Sequence, residues 1–161
     1  MDRIKSGARV PGTKVFGLRQ VLQVGETVMP WVQDLRECCL QQRKLERILQ
    51  AARKNANGAV VDRSMSLRDA RIGLQVLLQE EVILRKDLSH AGVKVGDLAV
   101  GETLFPAMVD HRQAYFIWVL GETRPNAWRF RGEKHCHHIP ERWFDGTSKT
   151  DSPPGSRTTT F

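Results

Sequence analysis

LFPAMVDHRQAYFIWVLGETRPNAW, residues 104–128, is the stretch whose reading decides the fold. Within it, residues 113–120 (QAYFIWVL) hold five aromatic or β-branched side chains in eight, the composition that suits a pleated, half-buried surface. Successive residues of a strand point to opposite faces. Tyr115, Ile117 and Val119 therefore share one face and Phe116, Trp118 and Leu120 the other. Both faces are apolar, which predicts a central strand covered on both sides. Asp110 and His111 form a tight turn back to a shorter strand at residues 107–109. Gly121 ends the run, Pro125 and Asn126 break the chain again, and residues 127–130 return as a third strand. One buried helix is the competing reading, because a short apolar run does not settle its own period; the flanking turn residues favour strands.

The chain before this stretch reads as helix. From Trp31 to about Lys54, the residues Leu35, Cys38, Gln42, Leu45, Leu49 and Ala52 follow a 3-4-3-4-3 spacing, while Arg36, Glu37, Arg43, Lys44 and Arg47 take the opposite face. Pro30 suits the first turn of that helix, where a missing N–H costs nothing. Upstream, Leu18, Val21 and Leu22 allow one or two helical turns that Gly25 interrupts. Asn57-Gly58 is a C-terminal stop. A second helix opens at Ser66, whose hydroxyl caps the first turn, and Asp69 favours the exposed amides there. Leu67, Ala70, Leu74, Leu77, Leu84 and Leu88 repeat the helical spacing, with Glu81 the polar residue in line. Two helices of about 24 residues, each about 36 Å long, make an antiparallel hairpin. Leu78, Val82 and Ile83 widen the second helix's apolar face, which is where the sheet is expected to lie. His90-Ala91-Gly92 ends that helix, and residues 93–98 (VKVGDL) alternate like an edge strand.

The fold class expected is α+β, a long antiparallel helical hairpin packed on a small antiparallel β-sheet. One domain spans 15–144, with the hairpin at about 31–90 and the sheet at about 93–130. A basic disordered arm, 1–14, precedes it, and a Ser/Thr/Pro-rich disordered tail, 145–161, follows. Hydrophobic residues are 40% and charged residues 27%, ordinary for a soluble globular protein. No apolar run approaches a membrane span and the N-terminus lacks the apolar core of a secretory signal, so a cytoplasmic protein without membrane contact is expected. Three cysteines cannot all pair, and the adjacent Cys38 and Cys39 read as small hydrophobes in a reducing compartment.

Gly92-Val93-Lys94-Val95 through Asp97-Leu98, then Phe105-Pro106-Ala107, Asp110-His111-Arg112, Trp118, Gly121-Glu122 and Trp128 resemble a bacterial group known only as domain-of-unknown-function family 2203. The similarity covers about 30–140, Pro30 included. It implies a helical hairpin ahead of a small sheet and brings no activity. Three positions depart from the family pattern. Leu104 stands for an Asp before Phe-Pro, His111 for the Gly of the DGR turn, and Arg129 for the His after the last Trp. An Asp and a His that could serve as base or metal ligand are thereby lost.

Four candidate sites follow. The extra apolar residues Leu78, Val82 and Ile83 point to a protein interface, either with a partner protein or in a weakly held homodimer through the hairpin. This favours a non-catalytic binding or accessory protein. The formal net charge of +7 and a basic, aromatic segment (Arg124, Trp128, Arg129, Arg131 and Lys134) support the alternative, an RNA- or single-stranded-DNA-binding surface. Alternation of Trp128 and Phe130 with Arg129 and Arg131 argues instead that the aromatics face a core. His135, Cys136 and His138 could hold zinc, though a structural zinc site needs two ligand pairs a dozen or more residues apart; otherwise no cofactor is expected. No nucleotide fingerprint or recognisable catalytic triad occurs. Glu81 is the remaining catalytic candidate, with a raised pKa if buried, or else a partner of Arg43 or Arg47 across the hairpin.

Overall fold

The computed structural model describes residues 15–54 and 66–146. The arm 1–14, the Asn57-Gly58 stop and the tail from 147 onward lie outside the described residues. Helix α1 spans Leu18–Lys54, α2 spans Leu67–Ala91, and a short α3, Glu141–Gly146, ends the described residues. Between α2 and α3 run β1 (Lys94–Val95), β2 (Glu102–Val109), β3 (Arg112–Val119), β4 (Ala127–Phe130) and β5 (His137–His138). They form one antiparallel meander in chain order. The hairpin-on-sheet α+β architecture is as expected. The sheet has five strands where three and an edge strand were expected, and the edge strand is only two residues long.

α1 begins well before Pro30, contrary to expectation. At 37 residues it is about 55 Å long. Val21, Gly25, Val28, Val32 and Leu35 are all buried on one stripe that passes Pro30 without a break, while Pro30 itself lies on the exposed side. An interior proline costs about 3 kcal/mol. Burying Leu18, Val21 and Val28 contributes about 1.5–3 kcal/mol each, which outweighs it. Gly25 does not interrupt the helix. It lets α1 approach the sheet, since a Cβ there would meet the ring of Trp118. α2 begins and ends as expected: the Ser66 hydroxyl accepts from Asp69 N at 3.1 Å, and Gly92 caps the far end at φ 89°.

The β2–β3 hairpin turns on Asp110 and His111, both left-handed at φ 52° and 63°, a two-residue turn of the primed type whose twist matches the strands. β2 is longer than the expected 107–109 because Pro106 sits inside it harmlessly. The carbonyl of Pro106 accepts from Phe16 N at 2.7 Å, on the edge away from β3. The nitrogen of the same residue points to the same edge, so no ladder bond to β3 is lost.

Register fixes the faces. Val95, Thr103, Phe105, Ala107, Phe116, Trp118 and Trp128 share one face, and Leu18 to Leu35 of α1 pack on it with Leu84 and Leu88 of α2 to form the main core. Phe105 is at its centre, edge-on to Phe16 (5.5 Å) and tilted against Trp118 (6.3 Å). The other face carries a smaller buried cluster, Leu104, Tyr115 and Ile117, which no helical residue joins. β3 is therefore central and buried on both faces, with helices on one alone among the described residues. No helix among the described residues is long and apolar enough to cross a membrane.

Candidate functional site

The helices outrun the sheet. No residue of α1 beyond Cys39, and none of α2 before Leu84, belongs to the core shared with the strands. The remaining turns form a two-helix arm. From Cys39 to Lys54, α1 alone extends about 22 Å beyond its last core contact. The inner seam of the arm is narrow and partly polar, built from Cys38, Gln42 and Leu45 against Ala70 and the half-buried Leu74 and Leu77. A Cβ at Gly73 would stand 3.2 Å from Leu45, so the helices approach closely there.

The polar part of the seam ties the two helices together. Gln42 Nε2 donates to Glu81 Oε1 at 2.8 Å and to the Leu77 carbonyl at 3.3 Å, and Cys38 Sγ donates to the same carbonyl at 3.1 Å. Arg85 Nε closes the group on Glu81 Oε2 at 2.7 Å. These donors, Gln42 foremost, hold the Glu81 carboxyl below its ordinary range despite partial burial. Both expectations for Glu81 are thus corrected. Its pKa is lowered, and its cation is Arg85 on its own helix rather than Arg43 or Arg47. An ionised carboxylate with both oxygens occupied is a structural tie between the helices. Burial pushes the Cys38 and Cys39 thiols up, away from the reactive thiolate.

The outer side of α2 is a different surface. At about 100° per residue, Ile72, Val76 and Ile83 fall together, opposite the buried stripe of Ala70, Leu84 and Leu88. They are 51%, 55% and 59% exposed; Leu78 and Val82, 47% and 66% exposed, stand one turn apart on a flank about 100–140° round the helix from that row. Five of the eight large apolar side chains exposed among the described residues therefore lie on this one helix. Of the expected interface residues, Ile83 lies in that row, Val82 flanks it, and Leu78 is turned away from it. The sheet does not cover them, which corrects its expected placement: it packs on the Leu84 and Leu88 side. Ile72 and Val76 were missed because a search for one stripe per helix passes over an apolar row on the far side.

The basic and aromatic segment is divided by its strand. Trp128 and Phe130 pair with Phe116 and Ala114 on the helix-covered side, while Arg129 pairs with Tyr115 on the other. The Trp128 ring is stacked on His137 (4.4 Å) and tilted against Trp143 (5.8 Å). Arg124 lies 3.9 Å over the Phe144 ring and is ion-paired with Glu141. Arg131 Nη1 donates to Gln113 Oε1 at 2.8 Å, and Lys134 is exposed beyond the strand. The five residues do not converge on one surface, and Trp128 has neighbours on its ring where a base would have to stack.

The His-rich segment, read as a loop, contains β5. His137 turns to Trp128, and His138 pairs with Ala127 on the opposite face. His135 stands edge-on to His137 at 4.8 Å, and Cys136 is exposed. His135, Cys136 and His138 are not gathered, and no group of three or more His, Cys, Asp or Glu side chains among the described residues could hold a metal ion. An open cavity of about 330 Å³ lies between α1 and the β3–β4 connection, against Gly25, Met29, Trp118 and Leu120. Glu26 and Thr123 also line it, and Glu122 serves the connection itself: Trp118 Nε1 donates to the Glu122 carbonyl at 3.0 Å and Val119 N to Glu122 Oε1 at 3.1 Å. No protein-family model, curated protein or solved structure matches this chain.

Proposed function

We propose that this is a non-catalytic accessory protein of the cytoplasm that acts by protein contact through the outer face of α2. The observation that carries the reading is the row Ile72, Val76 and Ile83, flanked by Val82, on an arm that the sheet leaves bare. Contiguous apolar surface of this kind marks an interaction site. Three free cysteines support a reducing compartment. Divergent membership of the family 2203 group is part of the proposal, supported by a hairpin-on-sheet fold of the kind the resemblance implies.

The test is affinity capture with the whole chain and with Val76→Arg/Ile83→Arg, each after nuclease treatment, a differently tagged second copy counting among the possible partners. Both residues are exposed, so the double variant should melt like the wild type. A protein retained by the wild type and lost by the variant, with nuclease making no difference, supports the reading. Identical retention by both, or retention abolished by nuclease, overturns it.

A further inference from the structure

We infer that the occupant of the α2 outer face is a second copy of this chain, docked antiparallel; the inference rests on the protein-contact reading above. The row is self-complementary in that orientation. Two antiparallel helices related by a two-fold axis bring together residues equally far from its centre, and a heptad seam interlocks them as knobs in holes. With the axis midway between Leu77 and Leu78, Ile72 meets Ile83 of the second copy and Val76 meets its Gln79, each contact made twice by symmetry.

The next layer outward decides in favour of a copy over an unrelated helix. Asp69 lies three residues before Ile72 and Lys86 three residues after Ile83, so the same register sets Asp69 against Lys86 of the second copy at both ends. The flanking positions pair Gln75 with Val82, Gly73 with Glu80 and Arg68 with Ser89, so no like charges oppose one another. A parallel pair would instead stack Asp69 on Asp69 and Lys86 on Lys86. The row is clear of the sheet, since Val82 and Ile83 are exposed while Leu84 and Leu88 are buried in the core. The result packs two two-helix arms against each other, with Val82 beside the seam and Leu78 outside it.

The experiment is sedimentation velocity of the full chain over a concentration series reaching several hundred micromolar. A reversible dimer of an 18.3 kDa chain is expected. Ile83→Arg should abolish it, since each dimer buries that side chain twice. Asp69→Lys and Lys86→Asp should each weaken it by up to about tenfold, the scale of two rim ion pairs. The double variant Asp69→Lys/Lys86→Asp should recover most of the loss, a readout that helix stability alone would not move. A monomer at every concentration, or a double variant weaker than both single ones, overturns the second copy. If capture of another protein still depends on Val76 and Ile83 in that case, the protein-contact reading stands without this one. Loss of both results removes both.

Discussion

Gly25→Ala should destabilise the protein, although alanine is the better helix former. In an ordinary helix interior the change stabilises by about 1 kcal/mol. At this position the new methyl carbon would sit 2.2 Å from Cζ3 and 2.8 Å from Cε3 and Cη2 of Trp118. Carbon atoms prefer about 3.5–4.0 Å, so the overlap exceeds 1 Å at the closest atom. The indole cannot simply swing away. It is 7% exposed, tilted on Phe105, and tied through Nε1 to the Glu122 carbonyl. Overpacking of a fixed core costs about 1–3 kcal/mol, and an overlap this deep belongs at the upper end. The net loss is about 2 kcal/mol, or roughly 8 °C in melting midpoint for a domain of this size. Thermal unfolding followed by circular dichroism measures it. The same substitution in a Trp118→Leu background should change sign and stabilise by about 1 kcal/mol, because the ring it strikes is gone. If Gly25 merely interrupted the helix, Gly25→Ala would raise the midpoint of the native protein. That result would refute the close-approach account.

Other substitutions probe separate parts of the fold. His111→Gly should raise stability by about 1 kcal/mol in denaturant unfolding, since a left-handed residue with a Cβ carries a penalty glycine lacks. Thr103→Val should stabilise by about 1 kcal/mol, because the fully buried Thr103 hydroxyl has no hydrogen-bond partner; a loss of stability would show that the hydroxyl is satisfied. Trp128→Ala should cost about 3 kcal/mol, and an unchanged midpoint would show that Trp128 is not a structural residue of β4. For Glu81 the folded pKa lies below the ordinary 4.5, so its contribution to stability is complete above the unfolded value and is lost as pH falls through the folded one. Glu81→Gln should therefore flatten the decline of stability below about pH 4.5, as acid titration would reveal.

How far the sequence could be read depended on whether a feature was decided locally. The Ser66 cap, the Gly92 stop and the Asp110-His111 turn are set by side chains within three residues of the backbone they serve, and they were legible. So was the alternation along β3 and β4, which turns Trp128 toward the main core. The start of α1 was misplaced because Gly25 and Pro30 are local breakers, overruled by a buried stripe that needs the sheet to bury it. β5 escaped notice because two histidines have no strand signature, and their strand exists through pairing with Ala127 and Trp128. The division of Trp128 from Arg129 between faces followed from period-two geometry alone, yet closeness in sequence suggested a single patch.

The hairpin is longer than its sheet requires, and the excess leaves an arm outside the shared core. β2 and β3, at eight residues each, span about 26 Å, less than half the length of α1. The half of the hairpin that lies on the sheet is secured by Phe105, Phe116 and Trp118. The arm beyond it is secured by a narrower apolar seam, Leu45 and Cys38 against Ala70 and the half-buried Leu74 and Leu77, and by the Gln42–Glu81–Arg85 tie. Such a seam sets the register of two helices more than it stabilises them, because a buried polar group must have its partners before it adds anything. The arm is therefore the part of the molecule with most to gain from a further layer. That layer has one apolar place to lie along α2, opposite the seam. Substitutions in the seam should then disturb both folding and association, whereas those at Ile72, Val76 and Ile83 should disturb association alone. A surface that can be altered without cost to the fold is what a contact site requires.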